Sequence, residues 1–91
     1  MENKITLNSF WNSEYKIAIH CKTEEEANEL LKAFDKMGKE WSGGGSYLDK
    51  VYWDCYKENT CYDNMNKFAF IKYYKSHYYK IYEFEDVDLD N

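Results

Sequence analysis

The chain has 91 residues, a length that suits one small domain. Aromatic residues make up 20% of it, apolar residues 44% and charged residues 32%, with a net charge of −5, which excludes a disordered polyanion. The apolar runs are too short for a membrane-spanning helix, and all 12 basic residues are Lys, which weighs against a protein that reads DNA sequence with Arg.

Lys4 to Trp11 carries Ile5, Leu7 and Phe10 and is predicted as a short first strand. Tyr15 to Cys21 alternates, which predicts a half-buried strand. Tyr15, Ile17, Ile19 and Cys21 fall on one face, with Lys16, Ala18 and His20 on the other. Thr23 and Glu26 then fit a capping box, and Glu24, Glu25 and Glu26 suit the positive end of a helix. Ala27, Leu30, Leu31 and Phe34 recur at helical spacing, and Gly38 is a stop signal. The spacing therefore predicts a helix over 24–37.

Lys39–Trp41 is predicted to enter a second strand, and Ser42–Ser46 to form a flexible glycine loop. The segment from Leu48 to Tyr56 fits a short helix or a strand equally. Strands are predicted at Thr60–Tyr62, Lys67–Tyr73 and Tyr79–Phe84, with Lys75–His77 between the last two. Residues 1–86 read as one domain, and 87–91 as an acidic tail expected to be flexible. The order implies an α+β fold: a mostly antiparallel sheet with one main amphipathic helix on one face.

Local spacing assembles no catalytic group. Cys55 and Cys61 lack the close pairing of zinc sites, so Cys21, Cys55 and Cys61 read as buried free thiols. His20 beside Cys21 points to the opposite face of a strand. The glycine loop lacks the Lys and hydroxyl register of a phosphate loop. No enzyme activity, cofactor or metal is expected. The unusual feature is the density of rings: Trp41, Tyr47, Tyr52, Trp53, Tyr56 and Tyr62 are the candidate binding residues. They suit a protein interface, or a nucleobase with Lys50 or Lys57 near its phosphate. The acidic surplus reads as solubility, or as a body able to oppose a basic groove.

Gly38-Lys39-Glu40-Trp41-Ser42-Gly43-Gly44, followed by Tyr52-Trp53-Asp54-Cys55-Tyr56-Lys57-Glu58-Asn59-Thr60-Cys61-Tyr62, carries a resemblance. With the acid-capped helix before it and Tyr79–Asp86 after it, the chain resembles small phage and prophage proteins of low-GC Gram-positive bacteria over residues 15–86. The resemblance implies a compact α+β fold, action in the host cytoplasm and a counter-defence role. On that reading the chain inhibits a bacterial immune complex by direct binding, in the manner of an anti-CRISPR protein, with a CRISPR effector as first partner. It would bind neither a membrane nor specific nucleic-acid sequence, and a homodimer is admissible. Two alternatives stay open: an oligomeric sponge for a nucleotide immune signal, and an accessory phage protein with no anti-defence role.

Overall fold

Thr23 starts the longest element. Its hydroxyl accepts the Glu26 amide at 3.1 Å, and the Glu26 carboxylate accepts the Lys22 amide at 2.8 Å. This is the reciprocal cap foreseen in the sequence, displaced by one residue on the return arm. In the computed structural model, which describes residues 4–90, the helix runs Glu24–Lys36. Gly38 follows it at φ 81°, in the left-handed region a helix stop requires.

The elements in chain order are β1 (Ile5–Thr6), α1 (Leu7–Asn12), β2 (Ile17–His20), α2 (Glu24–Lys36), α3 (Trp53–Tyr56), β3 (Thr60–Asp63), β4 (Phe68–Phe70), α4 (Ile71–Ser76), β5 (Lys80–Glu83) and β6 (Val87–Asp88). Four strands form the main sheet in the order β4-β3-β2-β5. The β4–β3 and β3–β2 pairings are antiparallel and β2–β5 is parallel. The fold is therefore α+β with a mostly antiparallel sheet.

Alternation along β2 serves two cores. Ile17, Ile19 and Cys21 join Tyr62 of β3 on one face, where α1 and α2 supply Leu7, Phe10, Ala27, Leu30, Leu31 and Phe34. Ala18 and Cys61 point to the other face and meet Tyr74 of α4, with Ala69, Ile71, Tyr79 and Ile81 around them. The sheet is thus covered on both sides, and β3 is buried along its whole length. Tyr15, assigned by alternation to the buried face, lies outside the strand and is 77% exposed.

Several sequence expectations are corrected here. The first strand ends at Thr6, because the Thr6 hydroxyl accepts the Ser9 amide and starts α1. Leu7 and Phe10, three apart, then reach the core from one helical face. The strand expected at Lys39–Trp41 is reduced to a single bridge between Glu40 and Ser46. In the ambiguous stretch only Trp53–Tyr56 is helical. The run Lys67–Tyr73 divides at Phe70: Ile71 and Tyr74, three apart, turn inward on α4 to cover the second face. In the acidic tail, Val87–Asp88 forms β6, paired parallel with β1, and Leu89 packs on the main core. Asn91 lies outside the described residues.

A polar latch holds these layers in register. The Asn64 side chain accepts the Ile17 amide at 3.2 Å and donates to the Phe10 and Tyr15 carbonyls at 3.2 and 2.9 Å. One amide group thereby ties α1 and the entry to β2 onto the end of β3.

Candidate functional site

The six candidate rings separate into three environments. Tyr47 and Tyr62 are core residues, 1% and 0% exposed, and are removed from the binding surface. Tyr62 donates its hydroxyl to the Val51 carbonyl at 2.6 Å, and burial pushes both phenols well above the usual tyrosine range. Trp41 and Trp53 are half-buried and pack against the core, Tyr52 is half-buried against Trp41 and Phe68, and Tyr56 is exposed.

Trp41 and Tyr52 wall an open cup of about 480 Å³, together with Phe68, the glycine loop, Lys50 and Lys67. Its loop is pinned. The Trp41 amide donates to Gly45 at 2.9 Å, and the Gly44 amide, at φ 94°, donates to Trp41 at 2.8 Å. The Trp41 indole donates to the Lys50 carbonyl at 3.0 Å. Asn66 fastens the loop to the turn after β3, its side chain donating to the Glu40 carbonyl at 2.6 Å while its carbonyl accepts the Ser42 amide. The rings of this cup are spent on one another: Tyr52 stacks on Phe68 at 4.5 Å and 12°, and Trp41 meets both edge-on.

From the cup, rings continue along the outer side of β4. Tyr56 contacts Phe68 and Phe70, Phe70 contacts Tyr73, and Tyr73 stacks on His77 at 4.1 Å. Phe70 and Tyr73 are 40% and 39% exposed and were not among the sequence candidates. Among the described residues β4 pairs only with β3, so its second edge carries no strand partner there. The segment presenting Tyr52 and Tyr56 is bracketed by two left-handed residues, Tyr52 at φ 61° and Lys57 at φ 48°. Such conformations cost about 1–2 kcal/mol in non-glycine residues and gather at functional surfaces. Lys72 and Lys75 line the shallow pocket beside Phe70 and Tyr73, and among the described residues no carboxylate does.

Asp54 and Glu58 flank Tyr56 and are exposed. Glu24, Glu25 and Glu26 occupy the first turn of α2, while Glu83 ends β5 and Glu85, Asp86, Asp88 and Asp90 follow it.

The thiols and imidazoles do not converge. Cys21 and Cys61 are buried, and burial raises both thiols, Cys61 to about 12. Cys55 is exposed, contrary to its expected burial. The two His20 ring nitrogens meet the Glu83 carboxylate at 2.9 Å and the Glu58 carbonyl at 2.7 Å, so His20 ties β5 to the turn before β3. Among the described residues no group of three His, Cys, Asp or Glu side chains is placed to hold a metal ion, and no helix is long and apolar enough to cross a membrane.

A second groove lies across the sheet, at the β5 end. It measures about 890 Å³ and is lined by Lys4, Lys16, His77, Lys80, Tyr15 and Tyr78, among others. Neither exposed tyrosine was a sequence candidate. Lys80 is the register partner of Ile17 and lies over Tyr82, while Lys16 lies over Tyr79 on the other face of the sheet.

No known family model, curated protein or solved structure matches this chain.

Proposed function

We propose that this chain is a non-catalytic binding protein that docks on a protein partner along the outer edge of β4. In the phage setting suggested by its sequence pattern, that partner is a bacterial defence complex, with a CRISPR effector as the first candidate. One observation carries the reading: exposed Tyr56, Phe70 and Tyr73 flank an edge strand that, among the described residues, has no second partner. Interface cores are enriched in such rings, and an open strand edge offers main-chain bonds to an added strand. Lys72 and Lys75 beside the rings favour a partner strand with acidic neighbours.

The acidic surplus plays a lesser part in this reading. Acids are concentrated at the start of α2 and in the C-terminal segment, with Asp54 and Glu58 beside Tyr56, and serve solubility.

Size-exclusion chromatography with purified effector, followed by a target-cleavage assay, tests the proposal. A shifted complex and slowed cleavage are expected, with both lost in the Phe70→Asp/Tyr73→Asp variant. An unshifted elution with unimpeded cleavage rejects that effector as the partner. A wild-type dimer that the same variant disperses assigns the edge to a second copy of this chain and overturns the docking proposal.

A further inference from the structure

We infer that the partner is held at β4 by strand addition: an extended, acidic segment pairs with the main chain of Phe68 and Phe70 and sets its carboxylates against Lys72 and Lys75. This mode of binding rests on the docking reading above and fixes which atoms make it.

Hydrogen-bond alternation is the first observation. In an antiparallel ladder a residue turns its amide and carbonyl toward one neighbouring strand, and the next residue turns them to the other side. The Cys21 amide donates to the Thr60 carbonyl at 3.0 Å, so Thr60 and Tyr62 bond toward β2. The Asp63 amide donates to the Lys67 carbonyl at 3.0 Å, so Asp63 and Cys61 bond toward β4. Cys61 is the register partner of Ala69, which makes Ala69 the residue of β4 whose main chain faces β3. The Phe68 amide and carbonyl and the Phe70 amide therefore point outward. The Phe70 carbonyl is not free in this way, because Phe70 caps α4 and an N-cap carbonyl accepts the first helical amide. Among the described residues no strand takes the three outward groups. Such groups are completed by water or by an added strand.

Unpaired charge is the second observation. The chain carries a net charge of −5, yet the two side chains that share a shallow pocket with Phe70 and Tyr73 on this flank are the exposed Lys72 and Lys75. Among the described residues neither forms an ion pair. At the Tyr56 end the balance differs: Asp54 and Glu58 stand there, and Lys57 meets Asp54 at 4.0 Å. The uncompensated cations thus lie where the chain leaves β4 for α4, and carboxylates on the added segment complement them there. β4 spans three residues before α4 begins at Ile71, so a short extended segment is enough to fill the edge. A second copy of the chain is a weaker match, since its own edge presents the same unpaired lysines.

Amide hydrogen exchange read by NMR tests the inference on the whole chain. In the free protein the Phe68 and Phe70 amides are expected to exchange about tenfold faster than those of Cys61 and Ala69, which sit inside the ladder. The probe is a blocked peptide alternating aspartate and valine, with a lysine–valine peptide as its counterpart. The aspartate peptide is expected to slow exchange at Phe68 and Phe70 and to bind about tenfold more tightly than the lysine peptide. Lys72→Glu/Lys75→Glu reverses that order. Phe70→Ala and Phe70→Pro both lose the ring, but only the second loses the amide, and the backbone at φ −86° lies near the value proline fixes. Phe70→Pro is expected to bind the aspartate peptide about threefold less tightly than Phe70→Ala, the worth of one main-chain bond. Where Phe70→Pro does not fold by circular dichroism, protection of the two amides in the wild-type chain decides. No binding of the aspartate peptide, equal binding of both peptides, or binding that leaves the Phe68 and Phe70 amides unprotected overturns the inference. Protection of these amides in concentrated free protein that disappears on dilution assigns the edge to a second copy and overturns it too. Peptide failure beside an effector complex that Phe70→Asp/Tyr73→Asp abolishes overturns strand addition and leaves the docking reading in place. Peptide binding without an effector complex supports strand addition and rejects that effector.

Discussion

The Tyr74 hydroxyl donates to Asp63 Oδ2 at 2.7 Å, joining α4 to the end of β3 inside the molecule. The other Asp63 oxygen accepts the Met65 and Lys67 amides, both at 2.9 Å. This one carboxylate therefore shapes the turn between β3 and β4 and anchors the helix over the second face of the sheet. Tyr74→Phe removes one arm and leaves a buried oxygen short of a partner. A loss of about 1–3 kcal/mol is expected in urea unfolding, with a native circular dichroism spectrum retained.

Burial raises the Asp63 carboxyl above its ordinary value of 3.8, while the Tyr74 hydroxyl and the two amides oppose the rise. The folded chain therefore holds this proton more tightly than the unfolded chain. The group's stabilising contribution is fully present below pH 3.8 and is lost as the pH rises through the higher folded value. Asp63→Asn is expected to remove that component of the decline, visible as a flatter unfolding free energy against pH across this window.

Tyr78 trades stability for display. Its left-handed backbone favours glycine, and its ring is almost wholly in solvent. Tyr78→Gly relieves about 1–2 kcal/mol of backbone strain and forfeits about 0.5–1 through the freer unfolded chain. A net gain of about 0.5–1 kcal/mol is expected, which raises Tm by a few degrees in thermal melts. A lower Tm would show that the ring holds the fold together despite its exposure.

The three thiols are expected to react at separate rates. Cys55 is exposed, whereas Cys21 and Cys61 are buried and their thiols raised. Iodoacetamide at pH 8 should label Cys55 first, read by mass spectrometry as a single adduct. Cys21 and Cys61 should react only when the sheet opens, so their labelling follows global unfolding in denaturant.

Phe34→Ala provides a measure of the main core. Phe34 is fully buried and packs against Phe10, Trp11 and Tyr47. Removal of the ring is expected to cost about 3–5 kcal/mol in urea melts, a large share of the stability of a domain this size.

Local patterns along the chain were enough to specify α2, β2, β3 and β5, because capping, alternation and helical spacing act within a few residues of each other. Thr23 with Glu26, and Ile17 with Ile19, state their roles without help from the rest of the chain. The division at Phe70 could not be read this way. Ile71 and Tyr74 become helical because the second face of the sheet requires cover, and that face exists only after β2, β3 and β4 have paired. Ring exposure was equally hidden. Composition counts tyrosines, but packing puts Tyr47 and Tyr62 inside and leaves Tyr15 and Tyr78 in water. The β5 edge arises from the same long-range order: Lys80 and Ile17 lie far apart in sequence and become neighbours only through a parallel strand pairing.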